Sequence, residues 1–388
     1  MPSVVIDVER LKKIHCGLGQ FSLHLSRAIL DAAGTDFDPV LLLRPEQQAF
    51  YANRPVRFLD VTTWRREPVA SLLRPLFKAA GFRESCDVWH TTHQDSKCLP
   101  LDRRTPLVLT IHDLNILREK QPAAIRRRLK SLQRKVNRAT VLTTASRFAA
   151  NEIRSNLDVA GREIAIIAHG VCVTPASERT ARPGFLPAGP FLFTIGDITP
   201  KKNFHVLVEF LRHLAVSGRA NLRLVIAGPK RTDYALRIER EIRAAGLTGR
   251  VILPGIVTDE ERAWLYQNCE AFVFPSISEG FGLPVIEAMS CGRPVFLSNA
   301  TSLPEVGGPL AFYWQDFSAR SMSQVFETGM SCVSRDSRYA DKLRQHASQF
   351  TWERAAGAYL ALYRQVLEVS AAGGGSLASE PRFVRQAA

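Results

Sequence analysis

The chain has 388 residues, 46% of them hydrophobic and 23% charged, an ordinary balance for a soluble globular protein with room for two or three domains of ~100–200 residues. Its seven cysteines are scattered, odd in number and never in a C-x-x-C pair, which argues against a disulfide framework or zinc site and for a reducing compartment. The formal net charge of +14 is concentrated early, with 27 basic against 18 acidic residues in positions 1–178, a bias that suits nucleic acid, anionic lipid or phosphorylated substrates without choosing among them.

The opening Met1-Pro2-Ser3-Val4-Val5-Ile6-Asp7 lacks a charged leader and reads as a first strand. No uninterrupted apolar run reaches the ~18 residues that span a bilayer, so a cytoplasmic location is expected, soluble or peripheral on a membrane. Short β-rich runs then alternate with longer helical patterns, as in parallel sheets built from βαβ units. In the first half the predicted strands are Val4–Ile6, Val40–Leu43, Val56–Leu59, Val88–His90, Leu107–Ile111, Val141–Thr144 and Ile164–Ile167; in the second they are Phe191–Ile195, Leu222–Ala227, Val251–Leu253, Ala271–Phe274 and Val295–Leu297. Both halves read as doubly wound α/β domains. The polar stretch Thr174 to Gly184, followed by Pro187 and Gly189, is the linker candidate and places an N-terminal domain at 1–178 and a C-terminal domain at 188–350. A last helix over 351–369 carries Tyr359, Leu362, Tyr363 and Val366 on its apolar side, and the Gly/Ala/Ser-rich tail 370–388 is expected to be disordered.

In the first half, Cys16-Gly17-Leu18-Gly19-Gln20-Phe21 precedes an amphipathic helix. Ser22 stands where a dinucleotide fingerprint has its third glycine, and ten residues separate Ile6 from Gly17, so a nicotinamide enzyme is disfavoured. Asp36-Phe37-Asp38 offers two carboxylates, but they fall where turn carboxylates are common and are discounted as a metal site. His90 and His93 close one strand, and His112-Asp113 another. A histidine at the end of a buried strand is placed to meet a ligand, the plainer alternative being a structural ring held by a carbonyl. No Cys or carboxylate spacing supports a metal there, and none is expected elsewhere. Between Arg126 and Arg138 seven of thirteen residues are Lys or Arg, with Ile125, Leu129, Leu132 and Val136 as an inward stripe. Trp64 to Phe77 adds Arg65, Arg66 and Arg74, with Lys78 beyond, although Pro75 weakens a continuous helix. Together these segments form either a docking face for anionic lipid, each cation contributing on the order of 1 kcal/mol, or a merely solvated surface.

In the second half, Gly196-Asp197-Ile198-Thr199-Pro200-Lys201-Lys202-Asn203 follows a strand, and paired lysines at the carboxyl end of a parallel strand can clamp a diphosphate. The most informative stretch is Pro275-Ser276-Ile277-Ser278-Glu279-Gly280-Phe281-Gly282-Leu283-Pro284-Val285-Ile286-Glu287-Ala288-Met289-Ser290-Cys291-Gly292. A Gly-rich turn leads from a buried strand into a helix with Pro284 in its first turn, and free N–H groups there attract phosphate. Glu279 and Glu287 cannot bind phosphate themselves and more plausibly accept hydrogen bonds from sugar or ribose hydroxyls. The plainer alternative is a tight βα turn with Glu287 as a favourable first-turn charge.

Glu279 and Glu287, with Gly280-Phe281-Gly282-Leu283-Pro284 between them and Gly292-Arg293-Pro294-Val295 after, resemble the Glu, seven residues, Glu motif of the retaining glycosyltransferases of family four. Weaker similarity runs along nearly the whole chain. The resemblance implies the GT-B fold, two doubly wound Rossmann-like domains facing a cleft, with the C-terminal helix crossing back to the first. It implies a nucleoside diphosphate sugar as donor, bound by the second domain, and a glycan or lipid-linked acceptor on the first. His112, Glu279 and Lys202 become the catalytic candidates; Gly17, Gly19, Lys201, Gly280, Phe281, Gly282, Leu283 and Glu287 become donor-binding candidates, with no metal cofactor. Ser146-Arg147-Phe148 resembles the family's entry to a helix, where Ser146 also serves as an N-cap. Asp197 and His169 depart from the family's usual Arg and Asn. The motif context resembles mannosyl-type transferases of polysaccharide and lipopolysaccharide assembly. The alternatives are an epimerase or phosphorylase of the same fold, or a non-catalytic basic protein that binds membrane or, less favoured, nucleic acid.

Overall fold

The computed structural model describes residues 1–14, 16–61, 69, 72, 73, 75, 76, 86–172, 181–230 and 232–371. All four cations of the predicted basic segment at 64–78, Arg65, Arg66, Arg74 and Lys78, therefore lie outside the described residues, as do most of the predicted linker and the tail beyond Ala371. The chain divides into two compact units: Met1–Gly170 together with the chain from Trp352 onward, and Val171–Thr351.

The N-terminal unit is built on a parallel sheet of seven strands, β1 (Ser3–Asp7), β2 (Asp38–Leu43), β3 (Arg57–Asp60), β4 (Val88–Thr91), β5 (Leu107–Thr110), β6 (Val141–Thr144) and β7 (Ile164–Ile166), in the order β3-β2-β1-β4-β5-β6-β7. The C-terminal unit has six, β8 (Phe191–Ile195), β9 (Arg223–Ala227), β10 (Val251–Gly255), β11 (Ala271–Phe274), β12 (Val295–Ser298) and β13 (Phe312–Trp314), in the order β10-β9-β8-β11-β12-β13. All pairings are parallel. Helical crossovers cover both faces, which is why the inner strands read as unbroken apolar runs. In each sheet the strand order reverses beside its first strand, between β1 and β4 and between β8 and β11, and ligands of such sheets collect at the carboxyl ends beside that reversal. Each of the twelve predicted strands is present within a residue or two of its predicted bounds. The edge strand β13 went unread because three residues carry no usable period.

The helix Trp352–Ala371 belongs to the N-terminal unit, where it packs on the helix Gly17–Ala32 and buries Trp352, Ala356, Tyr359, Tyr363 and Val366. A buried polar ladder fastens it to the sheet. His90 Nδ1 meets the Tyr363 hydroxyl at 2.7 Å, His90 Nε2 meets Thr110 Oγ1 at 2.8 Å, and Thr110 Oγ1 meets Thr143 Oγ1 at 2.7 Å. Burial, with a smaller contribution from His112, pushes His90 down to about 3, so the ring is neutral and both nitrogens are spent inside the core. His90 is therefore a structural histidine, separate in role from any ligand cluster. Asp36 and Asp38 each pair with an arginine, Arg364 and Arg57, as turn carboxylates commonly do.

Replacing Tyr363 by Phe removes one hydroxyl from this ladder and strands a buried imidazole nitrogen, so urea denaturation should show a loss of about 1–3 kcal/mol. A loss within experimental error of zero would mean that His90 finds another partner.

Candidate active site

In the C-terminal unit the turns after β8 and β11 meet at the strand-order reversal. The turn after β8 is kept open by glycine. Gly196 (φ +152°) is covered by the aliphatic stem of Lys202, whose Cε would lie 3.0 Å from a Cβ there, while a Cβ on Gly228 (φ +136°) would come within 2.0 Å of the Gly196 carbonyl oxygen. Larger residues would push apart the turns after β8 and β9. Lys202 is thereby laid inward, 9% exposed, with its ammonium 2.6 Å from Glu279 Oε1 and 4.7 Å from the centre of the Phe274 ring.

Glu279 sits in the turn after β11 and is held from several sides. Its Oε1 also accepts from Ser276 Oγ at 2.6 Å, and its backbone N–H donates to Thr301 Oγ1 at 3.1 Å. Ser302 Oγ donates to the carbonyls of Glu279 (3.1 Å) and Phe281 (2.8 Å). The Lys201 carbonyl accepts from Ile277 N (2.9 Å) and Ser276 Oγ (3.2 Å), which ties the two turns together. Oε2 of Glu279 takes no hydrogen bond among the described residues, both side-chain partners, Lys202 and Ser276, being on Oε1. Gly282, with φ +116°, caps the helix Leu283–Ser290, and Pro284 occupies its first turn, so the helix N-terminus follows directly on Glu279-Gly280-Phe281. Phe281 is buried against Phe350. One turn further, Glu287 Oε2 accepts from the Tyr266 hydroxyl at 2.6 Å. Burial, and then Glu287 itself, holds the Tyr266 phenol well above its usual value, so it stays a donor.

Thr301, Ser302 and Tyr266 escaped the reading of the chain. Thr301 has φ +55°, a strained conformation for a β-branched residue, and such strain clusters where geometry serves function. Its available signal was position: Asn299-Ala300-Thr301-Ser302 follows a predicted strand, at the end of the sheet where turns carry sites.

In the N-terminal unit His112 follows β5 and is 4% exposed. Its Nε2 lies 2.8 Å from the Thr92 carbonyl oxygen, which can only accept, so Nε2 carries a proton. Burial pushes the ring down to about 4, the Thr92 bond pulling the other way. A neutral ring with Nε2 protonated leaves Nδ1 as an acceptor, and Nδ1 has no partner among the described residues. His112 packs edge-on against Phe21 at 4.5 Å, with His169 5.3 Å away. His93 is occupied differently: Nδ1 accepts from Asp95 N (2.9 Å) and lies 3.0 Å from Arg10 Nη2. Gly17 is exposed at the start of its helix with open space around it. Gly19 is buried, and a Cβ there would lie 2.3 Å from the Lys13 carbonyl oxygen, so packing alone demands glycine. Ser146 caps the helix Arg147–Asn156 by accepting from Ala149 N at 3.1 Å. Among the described residues no group of three His, Cys, Asp or Glu is placed to hold a metal ion, and no helix is long and apolar enough to cross a membrane.

Comparison with known proteins follows this division. The Glycosyltransferase Family 4 model matches residues 17–174, and the Glycosyl transferases group 1 model matches residues 178–312. O-antigen chain mannosyltransferase B of Escherichia coli is 28% identical over 379 residues, covering 90% of this chain and 96% of that protein. O-antigen chain mannosyltransferase RfbU of Salmonella typhimurium is 25% identical over 320 residues, covering 78% and 84%. The structure of Anabaena Alr3699/HepE in complex with UDP-glucose matches with a TM-score of 0.70 at 16% identity, covering 96% of this chain and 100% of that one, a likeness of fold. With its two parallel-sheet units, each matched by a glycosyltransferase family model, the chain belongs to the family four glycosyltransferases of the GT-B fold and is similar to their O-antigen mannosyltransferases.

Proposed function

We propose that this glycosyltransferase moves a hexose, with mannose as the first choice, from a nucleoside diphosphate sugar to a glycan or lipid-linked acceptor with retention of anomeric configuration. The observation that carries the reading is the Lys202 ammonium, laid beside Glu279 at the strand-order reversal and followed at once by a helix N-terminus. The names of the mannosyltransferase relatives support the sugar, and the UDP-glucose complex of Alr3699/HepE supports a nucleotide-sugar donor.

In this reading the bond between the sugar's anomeric carbon and the diphosphate oxygen breaks, and the acceptor oxygen forms the new bond on the same face. The acceptor's proton passes to the departing phosphate oxygen. Negative charge grows on the diphosphate as the bond breaks; Lys202 and the positive end of the helix Leu283–Ser290 meet it, and preorganised charge of this kind stabilises a transition state. The Lys201 side chain adds to that field. Glu279 Oε2 accepts from a hydroxyl of the donor sugar and Glu287 Oε1 from the ribose. His112 orients the donor sugar, its buried Nδ1 being the acceptor that has no partner among the described residues. Gly17 and Gly280 keep the backbone near the substrate free of side chains. No metal is needed, because protein cations and helix N–H groups supply the positive charge.

Thermal unfolding against a panel of GDP- and UDP-sugars tests the donor site. A bound donor at 100 times its dissociation constant should add ~2.7 kcal/mol, and Glu287→Ala should remove most of that gain; no shift with any nucleotide in folded protein would sink the reading. Lys202→Met should lower kcat by roughly 10²–10³-fold with the fold intact, and transfer should continue in EDTA. An inverted product anomer by NMR, or activity lost to EDTA and restored by Mg²⁺, would each contradict the mechanism. His112 has a folded-state value near 4 against about 6.5 in the unfolded chain, so its contribution to stability is complete above about 6.5 and is lost as pH falls toward 4. His112→Gln should flatten that part of the acid-stability curve while reducing transfer; an unchanged acid limb would show that the ring is not held neutral.

A further inference from the structure

A cavity of about 1190 Å³ opens in the N-terminal unit, where the strand order reverses between β1 and β4. The turn after β1 supplies Arg10 and Lys12, the loop after β4 supplies Lys97, and one side of the helix Pro122–Arg138 supplies Arg128, Arg134 and Lys135. In all, nine arginines and lysines line it against three carboxylates, and Leu99 and Leu132 are the only apolar side chains.

The carboxylates do not cancel these charges one for one. Asp95 is shared between Arg128 at 2.7 Å and Arg10 at 3.6 Å, and Glu9 between Lys12 at 2.7 Å and Arg44 at 3.9 Å. Asp7 is buried and accepts the Glu9 backbone N–H at 2.9 Å. Lys97, Arg103 and Arg134 pair with no carboxylate among the described residues. Lys135 donates to the carbonyls of Gln94 and Ser96, both at 2.6 Å, and Arg138 to those of Asp102 (3.0 Å) and Thr105 (2.8 Å). Bonds to carbonyls stiffen the rim but leave the positive charge in place. A concave wall focuses that field on whatever enters.

The seven basic residues of the Arg126–Arg138 helix thus divide. Arg128, Arg134, Lys135 and Arg138 line the cavity, whereas Arg126, Arg127 and Lys130 do not. A flat membrane cannot fill a concavity, and two leucines offer no channel for an acyl chain. With no Phe, Tyr or Trp in the lining, nucleic-acid bases have nothing to stack on. The volume suits a small molecule or a headgroup.

We propose that this cavity binds a phosphate-bearing ligand of sugar-phosphate size, and that this ligand is the glycosyl acceptor, a role that rests on the transferase reading above. Arginine forks match phosphate oxygens in pairs, and the position beside the strand-order reversal is where a parallel sheet collects its ligand.

The test is titration calorimetry with inorganic pyrophosphate at low salt. It compares wild type with Lys97→Glu/Arg103→Glu/Arg134→Glu and with a matched variant outside the cavity, Arg126→Glu/Arg127→Glu/Lys130→Glu. All six positions are exposed, so both variants should fold, and both leave the C-terminal unit untouched. The cavity variant should lose one binding event or weaken it on the order of tenfold, with the outside variant near wild type. Equal binding in all three proteins, or equal loss in both variants, would overturn the proposal. Flotation with phosphatidylglycerol vesicles separates the sources. Weaker vesicle binding in the cavity variant than in the outside variant would assign the phosphate to a lipid headgroup; no difference, with pyrophosphate binding still lost, would assign it to a soluble sugar phosphate. Nucleotide-sugar binding is measured in parallel on all three proteins. Pyrophosphate binding as expected without any nucleotide-sugar binding would keep the cavity as an anion site and remove its acceptor role.

Discussion

Parallel strand pairing is the constraint on which the rest of this molecule depends. A parallel pair needs a crossover connection, so every strand in a sheet delivers its carboxyl end to the same edge, and every turn that leaves it starts from that edge. Lys202 after β8, Glu279 after β11, Thr301 after β12 and His112 after β5 all stand in such turns. The same rule opens a gap where neighbouring turns diverge from two adjacent strands. In the C-terminal unit that gap holds the Lys202–Glu279 pair, and in the N-terminal unit it holds the basic cavity.

Polar groups in these turns are kept in place by other polar groups, and few of them are spare. Ser276, Thr301 and Ser302 consume the backbone and one carboxylate oxygen around Glu279, and Thr92 consumes one nitrogen of His112. What is left over, Glu279 Oε2 and His112 Nδ1, has a defined direction and a defined hydrogen-bonding sense. Both are hydrogen-bond acceptors. In the C-terminal unit a buried lysine lies against the other oxygen of Glu279, and in the N-terminal unit arginines and lysines line a cavity.

The histidines show how one residue type is sorted by its neighbours. His90, His93 and His112 all follow or end buried strands in the N-terminal unit, and burial keeps each of them neutral. His90 becomes part of the core because Tyr363, 273 positions away, supplies a hydroxyl. His93 has its Nδ1 filled by a local backbone N–H and an arginine. Of these three, only His112 combines a tautomer set by a carbonyl with a buried acceptor that has no partner among the described residues. Local pattern could not separate them, since the groups that decide lie on other elements.

Much of the fold was legible in the chain because its signals are local. Period and β-branched runs marked twelve strands, Gly280-Phe281-Gly282-Leu283-Pro284 marked a turn into a helix, and Ser146 marked a cap. Glu279, Glu287 and Lys202 were recognisable as candidates through the Gly-rich turn, the paired lysines after a predicted strand, and the family motif that they resemble. Tertiary structure decided the rest. It paired Lys202 with Glu279 across 77 positions, enlisted Thr301, Ser302 and Tyr266, showed Gly19 to be a packing requirement, and turned part of a basic helix face into the wall of a cavity. The physical reason is one of range. Backbone preference and hydrophobic period act over a few residues and are written in order along the chain, whereas hydrogen-bond partners, close approaches and summed charge depend on distances in space that exist only once the sheets have formed.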